Sequence, residues 1–128
     1  MAQLAVEDLS RILADVAGLK LEGVRLVYDG AWLSASSPDR PRAVLSQAEC
    51  HGLATGPWEL TAYRASLPAV RAWLKLLEVD QRIDVSPFWG GPEVLVVFTA
   101  GQAYQAFPVL ECPSAPAPPA QAAARRSR

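Results

Sequence analysis

Trp58-Glu59-Leu60-Thr61-Ala62-Tyr63-Arg64, followed by Ser66-Leu67-Pro68-Ala69-Val70-Arg71-Ala72-Trp73-Leu74-Lys75-Leu76-Leu77, is the stretch on which the rest of the chain turns. Trp58, Leu60 and Ala62 alternate with Glu59, Thr61 and Tyr63, the period of a half-buried strand. From Leu67 the period changes: Leu67, Val70, Trp73, Leu74 and Leu77 share one helical face. Ser66 stands where a cap belongs, and Pro68 falls in a first turn that tolerates it. Three strand-like runs follow, through Ile83 and Val85, from Val94 to Thr99 and from Ala103 to Val109, ending at Glu111-Cys112.

The preceding residues have the same order. A strand-like Gln3 to Val6 leads to a short helix, Leu9 to Val16, whose Leu9, Ile12, Leu13 and Val16 lie on one face, with Asp8 or Ser10 to cap it and Gly18 to end it. Val24 to Tyr28, Trp32 to Ala35 and Arg42 to Gln47 read as three strands, the last with Ala43 and Leu45 on one side, ending at Glu49-Cys50. Asp29-Gly30 supplies the tight turn of the first hairpin. The chain therefore reads as an α+β domain, residues 1–112, of two β-α-β-β-β repeats, 1–56 and 57–112, with two adjacent helices on one face of antiparallel sheets. A unit of this size cannot bury its apolar face alone and must pack against its copy. Residues 113–128, rich in Pro and Ala and ending Arg125-Arg126-Ser127-Arg128, read as a disordered tail with a basic end.

At 128 residues, 51% hydrophobic and 20% charged, the chain suits one domain with a core. No apolar run approaches the roughly eighteen residues of a membrane helix, and the start lacks a signal-peptide pattern, so the expectation is a cytoplasmic protein with no membrane contact. Cys50 and Cys112 are too few for a disulfide framework or a zinc site, and no cofactor is implied. A net charge of -1 excludes a strongly basic nucleic-acid coat but permits a local basic stripe.

Tyr28-Asp29-Gly30-Ala31-Trp32-Leu33-Ser34-Ala35-Ser36, and Leu95-Val96-Val97-Phe98-Thr99-Ala100-Gly101 with Tyr104 and Phe107-Pro108-Val109-Leu110, resemble two hairpins of a DNA sliding clamp, the polymerase processivity factor. With the paired units, the resemblance spans residues 3–111. It implies a non-catalytic module whose helices face double-stranded DNA without reading sequence. Ring-forming clamps assemble six such domains from chains of two or three, so a one-domain chain would have to form a ring as a homo-oligomer or dock on a protein partner. The lining would need cations that meet phosphates without fixing a register. Arg64, Arg71 and Lys75 on and before the second helix, with Arg11 and Lys20 on and after the first, are the DNA-binding candidates. Phe88 and Trp89, in a Pro- and Gly-rich turn, are the partner-binding candidates.

Leu13-Ala14-Asp15-Val16-Ala17-Gly18-Leu19, followed by a strand and Asp29-Gly30, also resembles the opening of a roadblock-type dimeric scaffold or adaptor. That reading needs a long helix starting within Leu45 to Leu53, against the strand expected at Arg42 to Gln47. Cys50-His51 is the one pair that invites an enzymatic reading. Neighbours in a strand point to opposite faces and no third group orients them, so no catalytic residue and no metal site is expected.

Overall fold

The computed structural model describes residues 4–89 and 92–113. The expected Gly90-Gly91 turn, the tail beyond Pro113 and the start of the first strand at Gln3 lie outside the described residues. The chain is an α+β fold of two helices and one eight-stranded antiparallel sheet. In chain order it runs β1 (Leu4–Ala5), α1 (Val6–Val16), β2 (Gly23–Tyr28), β3 (Trp32–Ser36), β4 (Val44–Glu49), β5 (Trp58–Tyr63), a 3-10 turn (Arg64–Ser66), α2 (Leu67–Leu74), β6 (Arg82–Phe88), β7 (Leu95–Ala100) and β8 (Ala103–Glu111). Across the sheet the order is β1-β6-β7-β8-β5-β2-β3-β4.

The strand preceding each helix leaves its sequence neighbours to pair elsewhere. β1 joins β6 through Leu4 opposite Ile83, and β5 joins β2 through Gly23 to Tyr28. This exchange interlocks the two halves of the chain, and β8 completes the sheet by pairing with both β7 and β5. The sheet's inner face and both helices share one core. Leu9, Ile12, Leu13 and Val16 of α1 and Leu67, Val70, Trp73 and Leu74 of α2 meet Leu26, Leu60, Ile83, Val85, Val96 and Phe98 there, all buried. α1 and α2 touch each other.

Local chemistry explains where the elements begin and end. α1 starts at Val6, ahead of the expected Leu9, and neither Asp8 nor Ser10 caps it; Ala5 is its N-cap residue with no side-chain bond. Glu7 and Asp8 instead fall in its first turn, where the helix dipole favours negative charge. Ser66 likewise makes no cap bond, since it belongs to the 3-10 turn that leads directly into α2. α2 ends at Leu74, short of Leu77, because Leu76 and Leu77 bond back three residues to Trp73 and Leu74. In the first hairpin Asp29 Oδ1 accepts from the N–H groups of Ala31 and Trp32 at 2.9 and 2.8 Å, and Gly30 takes φ of 100°, a conformation glycine adopts without a Cβ penalty. Gly23 is required by a close approach: a Cβ there would lie 2.6 Å from Thr61 Cγ2 and 3.1 Å from Leu110 Cδ2.

One strand is displaced along the chain from its expected place. β4 starts at Val44, not at Arg42, and turns Ser46 and Ala48 inward while Val44 and Leu45 are exposed. A turn closed by Arg40 N–H to Ser37 O and Ala43 N–H to Arg40 O delays the strand, and the pairing with β3 is irregular at Ala35 and Ser36. Ser46 tolerates its inward position because its hydroxyl donates to Asp15 Oδ2 of α1 at 2.7 Å.

Candidate functional site

The helix pair carries the expected cationic residues, in unequal circumstances. Arg64, in the 3-10 turn, and Arg71, in α2, line a small cleft between the helices together with Leu13, Ala17, Leu67 and Pro68. Arg64 Nε donates to the Leu21 carbonyl at 2.8 Å, which holds the side chain against the loop after α1. Lys75, the residue after α2, and Lys20, in that loop, are exposed. Arg71 and Lys75 make no hydrogen bond or ion pair among the described residues. Both also sit at the end of α2, where the dipole favours positive charge.

Arg11 is differently placed. Its guanidinium is 3.3 Å from Asp8 Oδ1 and donates at 3.2 Å to the Gln47 carbonyl of β4, with Ser46 Oγ at 3.4 Å. That carbonyl belongs to an edge strand of the sheet, so Arg11 covers part of an otherwise open edge. Structure therefore gives Arg11 a packing role between α1 and β4, and the cations around the α2 cleft form a group without it. Glu7, Asp8 and Asp15 on α1 keep the helix surface mixed in sign.

On the opposite side of the sheet the two halves differ. The outer face of β2–β5 is mixed: Arg25 Nη2 meets Glu59 Oε2 at 2.9 Å across it, and Trp32 and Leu45 are exposed beside polar neighbours. The outer face of β6, β7 and β8 is largely apolar: Phe88, Leu95, Val97, Thr99, Tyr104 and Ala106 line a groove of about 510 Å³. Phe88, expected in a turn, ends β6 and is 54% exposed. Trp89 is half-buried, with its Nε1 enclosed and lacking a hydrogen-bond partner among the described residues. Tyr104, 66% exposed, was not among the residues expected from sequence. Its signal was available: in Leu95 to Thr99 and Ala103 to Leu110 both alternating sets are largely apolar, a pattern of strands covered on both faces.

Cys50 and His51 point apart. Cys50 is 1% exposed, and burial, with Asp84 and Asp8 nearby, pushes its thiol up to about 11. His51 is exposed, with its Nε2 3.0 Å from Glu49 Oε2. Asp29 is held below the usual carboxylate range by the two N–H groups it accepts from, Ala31 first and then Trp32. Among the described residues no group of three His, Cys, Asp or Glu side chains is placed to hold a metal ion, and no helix is long and apolar enough to cross a membrane.

Neither a family model, nor a curated protein, nor a solved structure matches this chain.

Proposed function

We propose that the protein is a non-catalytic, clamp-like module that contacts the phosphates of double-stranded DNA with its helix pair. One observation carries the reading: two helices in contact, with Arg64 and Arg71 lining the cleft between them and Lys75 beyond the end of α2. The element order β-α-β-β-β, taken twice, and the exchange of β1 and β5 between halves support treating the chain as two related units. Cations of this kind bind any sequence alike, since phosphates are the same along the duplex.

The charge distribution sets the scale. With only Arg64, Arg71, Lys75 and Lys20 offered, and acidic Glu7, Asp8 and Asp15 on α1, contact is weak and strongly salt-dependent, as suits a module that does not hold one site. The test is binding of a mixed-sequence duplex across a salt series. Arg71→Ala and Lys75→Ala should each flatten the slope of log affinity against log salt by about one unit. Arg11→Ala, whose guanidinium is engaged with β4, should leave the slope unchanged. Absence of salt-dependent binding by the native protein at low ionic strength would reject the reading.

The adaptor alternative of the roadblock type requires a helix beginning within Leu45 to Leu53. Val44–Glu49 is a strand, and Cys50 to Pro57 forms a connector.

A further inference from the structure

We propose that the outer face of β6, β7 and β8 is the docking track of the chain's own C-terminal segment, Ser114 to Arg128, which lies outside the described residues. The proposal does not depend on DNA contact, which uses the helix pair.

The segment begins at the end of the track. β8 ends at Glu111, and Pro113, the last described residue, stands in a turn. Proline is favoured at the second place of a four-residue turn, so Cys112-Pro113-Ser114-Ala115 suits a reversal that sends the chain back along β8. A cleft of about 520 Å³ lies at this exit, with Pro92, Pro108 and Leu110 in its lining and Glu93 and Glu111 beside them. Pro108 is paired with Leu95, which lines the groove of about 510 Å³ with Val97 and Tyr104, so the two depressions join into one track. Six strand residues separate Leu110 from Tyr104, about 20 Å at roughly 3.3 Å each. The fifteen residues from 114 to 128 are ample, since about seven cover that length in polyproline geometry at ~3.1 Å each.

The composition of the segment fits what the track offers. Pro113, Pro116 and Pro119 recur at every third residue, the period of a polyproline helix, and would lie along one edge of it. Such a helix loses little freedom on binding, and the surfaces that take it are apolar grooves with aromatic walls. Here Phe88, 54% exposed, and Tyr104, 66% exposed, stand at diagonal corners of the face with the smaller Val97 and Ala106 between them. Charge agrees. The residues lining the two depressions include Glu93 and Glu111 but no cation, and Asp84 shares the row of Thr99 and Tyr104. The segment contains no acidic residue and ends Arg125-Arg126-Ser127-Arg128. That match of opposite signs favours the chain's own end over an acidic peptide. Covalent attachment adds a millimolar effective concentration, so the docking needs only a weak intrinsic affinity.

Nuclear Overhauser spectra of the full chain at about 50 and about 500 µM, both below the effective concentration of a short tether, test the proposal. Pro116 and Pro119 should show cross-peaks to Leu95, Val97 or Tyr104, equally intense per molecule at both concentrations. Tyr104→Ala, a change at an exposed side chain, should remove most of them. The full-length double variant Pro116→Ser, Pro119→Ser should shift the amides of Val97, Thr99 and Ala106. Leu45→Ala, exposed on β4, should alter neither the cross-peaks nor those amides. Absence of the cross-peaks in the native chain, their survival in Tyr104→Ala, unmoved amides in the double variant, or an equal loss with Leu45→Ala would overturn the proposal. Cross-peaks found only between copies, in a mixture of ¹³C-labelled and unlabelled chains, would overturn it as well, because the occupant would then be a second molecule.

Discussion

Leu13→Ala probes the contact on which the whole arrangement depends, because Leu13 is fully buried on α1 and lines the cleft to α2 with Leu67. Truncating a buried leucine to alanine removes its transfer free energy and leaves a cavity, a cost of about 2–5 kcal/mol. Set against a total stability of roughly 6–19 kcal/mol for a chain of this length, the loss is large and measurable. Urea unfolding should show the midpoint falling with the slope unchanged, since the surface exposed on unfolding is nearly the same. Leu67→Ala, 4% exposed on the facing helix, should cost a similar amount. The informative quantity is the double variant: side chains in contact couple by about 0.5–3 kcal/mol, whereas separated ones add to within about 0.5 kcal/mol. Strict additivity of Leu13→Ala and Leu67→Ala would refute the adjacency of α1 and α2.

Gly23→Ala should destabilise by about 1–3 kcal/mol, because the new methyl meets Thr61 and Leu110, and a thermal melt reads it directly. Gly30→Ala, forced into φ of 100°, should cost about 1 kcal/mol without altering DNA binding. With Ellman's reagent near pH 8, Cys50 should stay unreactive until the protein unfolds, since its thiol is buried and raised to about 11. The same shift gives a sign. Below pH 9, thiol in both folded and unfolded chains is protonated and the stabilising contribution is complete; between pH 9 and about 11 only the unfolded chain releases its proton, so stability falls. Cys50→Ala should flatten that alkaline decline. Asp29, depressed in the folded state, acts at the other end: its contribution is present above pH 3.8 and is lost as pH falls, so Asp29→Ala should weaken the acid dependence.

Much of the fold was legible because periodicity changes where the elements change. The alternation through Trp58 to Tyr63, the helical spacing from Leu67 and the Asp29-Gly30 turn each correspond to an observed element, and Trp58 and Trp73 are buried as their phases require. The start of β4 was not legible, since Arg42 and Ala43 look like part of the strand until the turn closed by Ala43 N–H to Arg40 O is known. Ser46 takes an inward place that only its bond to Asp15, 31 residues away in sequence, makes tolerable. The role of Arg11 was hidden for the same reason: its partners on β4 come from a distant part of the chain. Phe88 was legible as an exposed aromatic, whereas the surface it belongs to emerged only when the registers placed Tyr104 and Val97 beside it. Side-chain spacing along one strand carries the face a residue occupies, but it does not say whether another surface covers that face.

The measurement that tests the central claim most directly is an amide ¹⁵N chemical-shift titration of the native protein with a short mixed-sequence duplex at low salt. Contact through the helix pair predicts perturbations grouped on Arg64 to Lys75 and the facing part of α1, disappearing together as salt is raised. Perturbations centred on β6, β7 and β8, or none anywhere at saturating duplex, would contradict it.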